Sequence, residues 1–392
     1  MKIIVLKFGG SSLQTYELRQ KVINIISSRK SSDFSPVIVV SAMGRKGDTY
    51  ATDSLLQLLP PGSSERHQAM ISACGEIISA TILAEELSQQ GITAKAFTGW
   101  QVGILTEKKF TQANVQNIDV SSILDELKNG TIPVVCGFQG ISPDGEITTL
   151  GRGGSDTSAA LLARALQAVQ LELFKDVAGF FTADPHLVKS ARIINDLNYQ
   201  EIAELSGNGA QIIHNPAIRQ LADHQIPLLF CNTFSGKSGT CIQPCQQIRP
   251  VIAVTSKNNL TLISINSSRN SRLSDIFSAF ADSAISVDFI TVNQSHVSFV
   301  IDDAKKDMAD KLLKKISFNY KLQNGFCKIT VTGSGMTGQP GVMAKLSLNL
   351  ESDNIWIDMA TDSYSTISCL IRQEDEIKAL NIIHTAFELQ EG

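Results

Sequence analysis

Lys7-Phe8-Gly9-Gly10-Ser11-Ser12 is a glycine-rich turn that follows an apolar run and precedes a helical pattern. A second turn with the same surroundings is Gly151-Arg152-Gly153-Gly154-Ser155-Asp156-Thr157. Paired glycines let backbone N–H groups surround an anion, and the N-terminus of the following helix adds partial positive charge. The ammonium of Lys7 suits a phosphate, and the guanidinium of Arg152 suits a carboxylate. The two turns together predict phosphoryl transfer to a small acid.

Strand and helix patterns alternate from residue 1 to residue 235. Apolar runs predict strands, and apolar positions three or four residues apart predict helices. Strands are predicted at 2–8, 36–40, 94–98 and 131–136, and helices at 16–29, 66–90 and 155–169. This order predicts an α/β fold, a three-layer αβα domain with a parallel sheet between two layers of helices.

The composition changes near 235–250, where glycine, serine and proline predict a linker. Beyond it, a β-α-β-β-α pattern of about 65 residues occurs twice, which predicts two ferredoxin-like α+β modules. We therefore predict domains at 1–245, 251–322 and 323–392. Too few residues follow the last helix of the second module to form its closing strand. The unassigned strand Val251–Thr255 is predicted to pair with that module, so that the two modules are interleaved.

The composition is that of an ordinary globular protein, with 43% apolar and 18% charged residues among 392 and a net charge of −4. The weak negative charge gives no indication of binding to nucleic acid or to a membrane surface. Seven cysteines without regular spacing predict reduced thiols, and the apolar start at Met1–Leu6 is too short for a signal peptide. We therefore expect a cytoplasmic protein with neither a nucleic-acid nor a membrane partner.

Further polar side chains lie where strands end and helices begin. Ser155 and Asp156 stand at the predicted start of the helix behind the second turn, where they either cap the helix or bind a ligand. Asp176 follows an apolar pair at a strand end, where a carboxylate typically orients phosphates; the alternative is a turn role. Asp184 is equally compatible with a turn and with nucleotide contact. Glu76 by itself indicates no more than a surface glutamate.

The chain resembles the aspartokinases of the amino-acid kinase family over essentially its whole length. The resemblance rests on both glycine-rich turns and on five further segments, which are Ser41–Gly44, Gly75–Glu76, Asp176–Gly179, Thr182–Pro185 and Gly209–His214. The two C-terminal modules resemble ACT-type regulatory modules, and the segment Gly333–Val342 matches the second of them.

The resemblance implies ATP-dependent phosphorylation of the side-chain carboxylate of L-aspartate to 4-phospho-L-aspartate, with Mg²⁺, as the first step of lysine, threonine and methionine biosynthesis. It implies catalytic roles for Lys7 and Asp176. The implied nucleotide-binding residues are Lys7, Gly9, Gly10, Ser11, Lys175, Asp176, Phe181 and Asp184. The implied aspartate-binding residues are Ser41, Glu76, Arg152, Gly153, Ser155 and Asp156. No residue is assigned as a metal ligand.

The ACT-type modules imply feedback control by an amino-acid effector, either lysine or threonine. The implied regulatory positions in the second module are Gly341, Val342, Asn354 and Ile355. Modules of this type usually join their sheets side by side, so we expect a homodimer or a dimer of dimers.

Several residues on the expected nucleotide side depart from the family pattern; they are Lys175, Ala178, Phe181, His186 and Gln211. The family usually has cations at the last two positions, and Lys175 is a candidate to replace one of them. These departures leave open a weakly active or non-catalytic paralogue that senses an amino acid. The turn at 45–49, which lacks the threonine that the family usually has near Lys46 or Gly47, leaves open a kinase for a related acid such as glutamate.

Overall fold

The computed structural model describes residues 1–209, 212–213, 215–243, 249–266, 273–293, 296–316, 319–334, 336 and 340–391. Residue contacts divide the chain into two compact units. Unit 1 comprises Met1–Phe180, Ile193–Ser206 and Gln211–Gln246, and unit 2 comprises Phe181–Arg192, Gly207–Ala210 and Gln247–Gly392. Unit 2 thus takes in two short segments of the predicted domain 1–245, and the domain bounds given above remain proposals.

Unit 1 contains the alternating strands and helices that the sequence predicted. Its strands are β1 (Lys2–Phe8), β2 (Phe34–Val40), β3 (Ala94–Phe97), β4 (Ile104–Thr106), β5 (Val115–Ile118), β6 (Ile132–Cys136), β7 (Gln139–Ile141), β8 (Ile147–Thr149), β9 (Gln170–Lys175), β10 (Asp196–Leu197), β11 (Leu228–Asn232) and β12 (Ser238–Ile242). Its helices are α1 (Gly10–Leu13), α2 (Tyr16–Ser31), α3 (Thr52–Leu56), α4 (Glu65–Gln89), α5 (Ser121–Lys128), α6 (Gly154–Ala165), α7 (Tyr199–Gly207) and α8 (Asn215–Ala222).

The main sheet of unit 1 has eight strands in the order β10-β12-β11-β9-β1-β2-β6-β3. All neighbouring strands are parallel except β11 and β12. A smaller sheet has the order β5-β4-β7-β8. Because β1 lies between β2 and β9, the turn after β1 opens at the middle of the main sheet, at the carboxyl ends of the parallel strands. Ligands of open α/β sheets bind at such edges.

The side chains of β1 alternate between the two faces of the sheet. Ile4, Leu6 and Phe8 are buried in one apolar core together with side chains of α2 and α4. Val5 and Lys7 point to the opposite face, where α6 packs on β1. Helices therefore cover both faces, and the predicted three-layer αβα arrangement is confirmed.

Local signals fix several helix ends. The hydroxyl of Thr15 accepts a hydrogen bond from the backbone N–H of Leu18 at 3.3 Å and begins α2. The helix behind the second glycine turn was predicted to reach 169 but ends at Ala165, because Gln167 adopts a positive φ of 48° and the chain turns into β9. Within the described part of the chain, no helix is both long and apolar enough to cross a membrane.

Unit 2 contains two α+β modules built on one sheet. Its strands are β13 (Ala253–Asn266), β14 (Asp288–Val292), β15 (His296–Asp302), β16 (Tyr320–Thr332), β17 (Met359–Asp362) and β18 (Thr366–Arg372). Its helices are α9 (Leu273–Asp282), α10 (Lys306–Ile316), α11 (Val342–Ser352) and α12 (Glu376–Ala386). The six strands form a sheet in the order β14-β15-β13-β16-β18-β17.

The two central strands of this sheet serve both modules. The first half of β13, at Ala253–Thr255, pairs with Thr330–Thr332 of β16, which is the pairing that the strand count required. The second half of β13 pairs with β15 on one side and with the start of β16 on the other. Each module has its own apolar core, one around Phe299 and one around Ile329. The modules are thus interleaved through β13 and β16.

A buried ion pair on the α2 side of the main sheet gives a test of the fold. Arg29 donates to both carboxylate oxygens of Glu172 at 3.0 Å, and Glu172 is 2% exposed. Burial raises the pKa of Glu172, and Arg29 opposes this shift. Arg29→Ala should therefore lower the free energy of unfolding by about 1–3 kcal/mol at pH 8, since a buried carboxylate loses its cationic partner and keeps only the amide of Gln170.

The pH dependence gives the sign of this effect. A raised pKa means that the folded state holds a proton that the unfolded state releases, so stability falls as pH rises above the unfolded pKa. The cost of Arg29→Ala should be smaller at pH 5 than at pH 8, because the raised pKa of Glu172 favours its protonation as pH falls. Urea titrations at pH 5 and pH 8 measure the difference in unfolding free energy between wild type and Arg29→Ala. The matched control is Arg29→Ala combined with Glu172→Gln, which removes the titrating carboxylate. An equal cost at both pH values would contradict this assignment.

Candidate active site

The first glycine turn is held by close backbone contacts. The N–H of Gly9 bonds to the carbonyl oxygen of Phe174 at 3.2 Å, and the N–H of Gly44 bonds to the carbonyl oxygen of Gly10 at 2.9 Å. A Cβ on Gly10 would lie 2.4 Å from the carbonyl oxygens of both Ala42 and Gly44. Only glycine fits there, so the predicted turn at 7–12 is packed directly on the turn that follows β2.

The second glycine turn reverses the chain into α6. Gly153 has a φ of 72° and a ψ of 10°, a left-handed conformation that favours glycine, and it precedes the first helical residue, Gly154. Among the described residues, no side chain caps this helix. Of the two alternatives for Ser155 and Asp156, capping is therefore excluded; both lie inside the first turn of α6 and are buried.

Both turns line one cleft of unit 1, with a volume of about 770 Å³. Of the predicted site residues, the cleft is lined by Lys7, Gly10, Ser41, Glu76, Arg152, Gly153, Ser155 and Asp156. Segments that are far apart in sequence therefore converge on one space, as the two glycine turns predicted. Gly9, Ser11, Lys175 and Asp176 also belong to unit 1 but do not line this cleft.

Lys7 is buried and paired, not solvated. Its Nζ lies 2.7 Å from Oδ1 of Asp156, and Nζ of Lys175 lies 2.8 Å from Oδ2 of the same carboxylate. Burial would raise the pKa of Asp156, but the two lysines hold it well below its usual range. Burial lowers the pKa of Lys7; Asp156 opposes that shift and Lys175 adds to it. Asp156 is therefore ionised, and its two oxygens already hold ammonium groups.

Glu76 is 2% exposed, so the reading as a surface glutamate is wrong. Its Oε1 accepts a hydrogen bond from the N–H of Ala42 at 3.0 Å, and among the described residues its buried Oε2 has no hydrogen-bond partner. Burial raises the pKa of Glu76 to about 8, against the opposing effects of Ala42 and Lys7. This raised pKa favours the protonated form of Glu76 at neutral pH, and its Oε2 is available to a ligand as far as the described residues show.

Asp176 lies at the end of β9, as predicted, and is exposed. Its carboxylate pairs with Arg45 Nη2 at 2.6 Å. Arg45 and Lys46 line the cleft, but sequence reasoning did not assign them. The available signal was their position directly after the Ser41–Gly44 turn, where cations at the carboxyl end of a parallel strand favour anion binding.

The remaining predicted residues belong to unit 2. Phe181 is partly buried, and Asp184 is exposed, with its Oδ1 accepting a bond from the N–H of His186 at 2.9 Å, as in a turn. Gly341 has a φ of 104° and begins α11, Val342 is its first residue, and Asn354 and Ile355 follow its end. Their nucleotide-binding and regulatory roles stay predictions. Gln211 lies outside the described residues.

Gly10 offers a direct test of the first turn. Gly10→Ala places a methyl group 2.4 Å from two carbonyl oxygens, so the turn must move. We expect a loss of about 1–3 kcal/mol in stability and a fall of about a hundredfold in kcat, since small displacements of positioning groups are costly. Gly207→Ala is the matched control, because a Cβ there meets none of the described atoms within 4 Å. The control variant should keep the melting temperature and the kcat of the wild type. Equal losses in Gly10→Ala and in the control would contradict the packing argument.

Residues 2–232 match the family model described as "Amino acid kinase family", and residues 329–387 match the model described as "ACT domain". Aspartokinase 1 of Bacillus subtilis is 34% identical over 99% of this chain and 100% of its own length. The aspartokinase of Bacillus sp. MGA3 is 37% identical over 99% of this chain and 98% of its own.

Solved structures give the same fold. E. coli aspartokinase III with aspartate and ADP (R-state) has a TM-score of 0.79 and 23% identity, covering 98% of this chain and 99% of its own. The same enzyme with lysine and aspartate (T-state) has a TM-score of 0.80 and 24% identity, covering 99% of this chain and 100% of its own. The chain therefore belongs to the amino acid kinase family and, within it, to the aspartokinases, and it is an aspartate kinase enzyme.

Proposed function

We propose that this enzyme transfers the γ-phosphoryl group of ATP to the side-chain carboxylate of L-aspartate, forming 4-phospho-L-aspartate and ADP. The observation that carries the proposal is the convergence of Lys7 and Arg152 on one cleft. An oxygen of the aspartate carboxylate attacks the γ-phosphorus, and the bond to the bridging oxygen breaks with its electron pair going to ADP. The attacking group is part of the substrate, so the protein needs only to position two anions and neutralise charge.

The side chains of the cleft divide between the two substrates. Lys7 would neutralise the transferring phosphoryl group, with Gly9, Gly10 and Ser11 around the phosphates. Arg152 would bind a carboxylate of aspartate through its planar fork. The Oε2 of Glu76, which has no hydrogen-bond partner among the described residues, would receive the substrate ammonium. That cation would lower the pKa of Glu76, so that its proton is released to solvent. Aspartate binding thus converts a neutral group into its counter-ion.

The substrate roles of Ser41, Gly153 and Ser155 rest on their place in the cleft lining. Asp156 was predicted to contact aspartate, but its oxygens are held by lysines. We therefore propose that Asp156 acts on the substrates through those two ammonium groups.

Mg²⁺ is the implied metal of this reaction. Among the described residues, no group of three His, Cys, Asp or Glu side chains could hold a metal ion. Kinase Mg²⁺ is held largely by water and nucleotide phosphates and needs only one or two protein carboxylates. Asp176, exposed at a strand end, fits that role once it exchanges Arg45 for the metal. When bound, Mg²⁺ would supply positive charge that offsets the charge on the nucleotide phosphates.

The test is a coupled assay for ADP with ATP and L-aspartate, with L-glutamate as the comparison acid. We expect turnover with aspartate and at least a hundredfold lower kcat/KM with glutamate, since the longer acid cannot place its carboxylate at the phosphorus while its ammonium stays at Glu76. Absence of turnover at saturating ATP, with aspartate still bound, would favour the non-catalytic sensor. Equal use of both acids would favour the broader kinase.

We further propose a cytoplasmic, feedback-regulated homodimer or dimer of dimers at the start of lysine, threonine and methionine synthesis. The lysine complex of E. coli aspartokinase III supports an amino-acid effector. The regulatory positions would be Gly341, Val342, Asn354 and Ile355 in the second module. A melting-temperature screen with lysine, threonine and methionine identifies the effector, because a ligand that binds the folded state raises the melting temperature.

A further inference from the structure

A buried histidine joins α12 to a short segment of unit 2. His384 of α12 is fully buried; its Nε2 lies 2.9 Å from Oγ1 of Thr182, and its Nδ1 lies 3.3 Å from Oγ of Ser190. Burial lowers the pKa of His384 and Arg192 adds to that shift, which favours the neutral ring. A neutral imidazole has one donor and one acceptor nitrogen, and a hydroxyl can complement either. Both ring nitrogens therefore have a partner in the segment Phe181–Arg192.

Further hydrogen bonds close this segment into a loop and attach it to α12. The N–H of Thr182 bonds to the carbonyl oxygen of Arg192 at 2.8 Å, and the N–H of Arg192 bonds to Oγ1 of Thr182 at 3.1 Å. Arg192 Nε donates to the carbonyl oxygen of Leu389, beyond the end of α12, at 3.0 Å. Nδ2 of Asn381 in α12 donates to the carbonyl oxygen of Leu187 at 3.2 Å. The loop is thus held at both ends and in its middle by one helix and the residues that follow it.

The beginning of β13 contacts this segment and a second one. The N–H of Val254 bonds to the carbonyl oxygen of Thr182 at 2.9 Å. Oγ1 of Thr255 donates at 2.7 Å to the carbonyl oxygen of Asn208, which lies in the segment Gly207–Ala210. Both segments overlap stretches on which the resemblance to the aspartokinases rests. The strand β13 and the helix α12 therefore fix two parts of the chain that carry the family pattern.

Apolar packing alone would not orient the first segment in this way. Val188 is buried in the apolar core of the second module, but apolar burial is non-directional. Buried polar groups need hydrogen bonds, and those bonds prefer a definite geometry. Phe181 and Asp184, which are predicted to bind the nucleotide, lie one and two residues from Thr182. The bond between Thr182 and His384 therefore orients the backbone that carries both of them.

We propose that His384 is a positioning residue for the kinase reaction. Through Thr182 and Ser190 it holds the backbone of Phe181 and Asp184 in the conformation that binds the nucleotide. The proposal rests on the proposed function and adds to it a residue of the second module. His384 is fully buried and acts through other residues, so its loss should weaken nucleotide binding and leave the aspartate site unchanged.

The test separates the affinity for nucleotide from the affinity for aspartate. His384→Phe fills the space of the ring without hydrogen-bonding atoms, and Thr182→Val replaces the hydroxyl partner with a methyl group. We expect each variant to raise the KM for ATP about tenfold or more and to change the KM for aspartate less than about threefold, since small displacements of positioning groups are costly. Thr182→Ser keeps the hydroxyl and should keep the KM for ATP within about threefold of wild type. Thr385→Val, at an exposed position of α12, is the matched control and should keep both wild-type KM values.

A second readout does not depend on turnover. ADP with Mg²⁺ should raise the melting temperature of the wild type and of Thr182→Ser, and the rise should be at least halved in His384→Phe and in Thr182→Val. If His384→Phe does not fold, the pair Thr182→Val and Thr182→Ser decides by the same two measurements. If the wild type failed to turn over but this pattern held, the proposed function would fail while the role of His384 in nucleotide binding stood.

A purely structural role gives a different pattern. It would lower the melting temperature without ligand but leave the KM for ATP and the rise with ADP at their wild-type values, and that result would overturn the proposal. Equal increases in the KM for ATP and the KM for aspartate would overturn it as well, because they would show general damage to the enzyme.

Discussion

Lys7→Ala should lower kcat about a thousandfold or more while the protein stays folded. The lysine that is lost carries the most buried ammonium of the cleft, and charge stabilisation of a transferring phosphoryl group by one cation is worth about 10³-fold or more. The fold should survive because Asp156 keeps Lys175 at 2.8 Å as its partner. An initial-rate assay at saturating ATP and aspartate measures the loss, and circular dichroism with a melting curve checks the fold.

Two further variants separate charge from packing at this position. Lys7→Met fills most of the space without the ammonium and should be as inactive as Lys7→Ala. Lys30→Ala removes an exposed lysine from the same unit and should leave kcat within about twofold. Turnover within tenfold of wild type in a folded Lys7→Met protein would show that the ammonium does not contact the reacting phosphoryl group.

The two glycine turns could be predicted because their signals are local. The first turn has a lysine before paired glycines at a strand end, and the second has an arginine between glycines. Each of these short segments predicts both a turn and a positive charge. The cluster of Lys7, Asp156 and Lys175 could not be predicted in the same way. It depends on which strands are neighbours and on their register, and neither is encoded in any short segment of sequence.

Polar residues hid the length of β13. The strand predicted at Val251–Thr255 is the beginning of β13, which continues past Lys257, Asn258 and Asn259. The structure accommodates these polar residues with a shift in register and a positive φ of 57° at Asn259. The membership of Phe181–Arg192 in unit 2 was also missed. Ala183 and Val188 in this segment are buried in the core of the second module, a tertiary contact that the strand and helix pattern does not contain.

Glu76→Gln should raise the KM for aspartate about a hundredfold and change the KM for ATP little. The amide cannot become a carboxylate, so the substrate ammonium loses its counter-ion, and removing one partner of a buried charge pair costs about 3 kcal/mol. Turnover at saturating aspartate should fall less than kcat/KM, because the lost contact concerns binding rather than the reacting phosphoryl group. Glu85→Gln, at an exposed position of the same helix, is the matched control.

Glu76→Gln should also stabilise the protein when no ligand is bound. A variant that binds aspartate more weakly but is more stable has lost a binding group, whereas damage to the fold would lower both affinity and stability. Burial raises the pKa of Glu76 to about 8, so between the unfolded pKa and pH 8 the folded state holds a proton that the unfolded chain releases. Wild-type stability therefore falls as pH rises through this range, and Glu76→Gln should remove that slope and gain on the order of 2 kcal/mol at pH 8. Denaturant titrations at pH 5.5 and pH 8 test it. A variant that loses both aspartate affinity and stability at pH 8 would mean that Glu76 supports the helix and the turn at Ala42 and is not poised for the substrate.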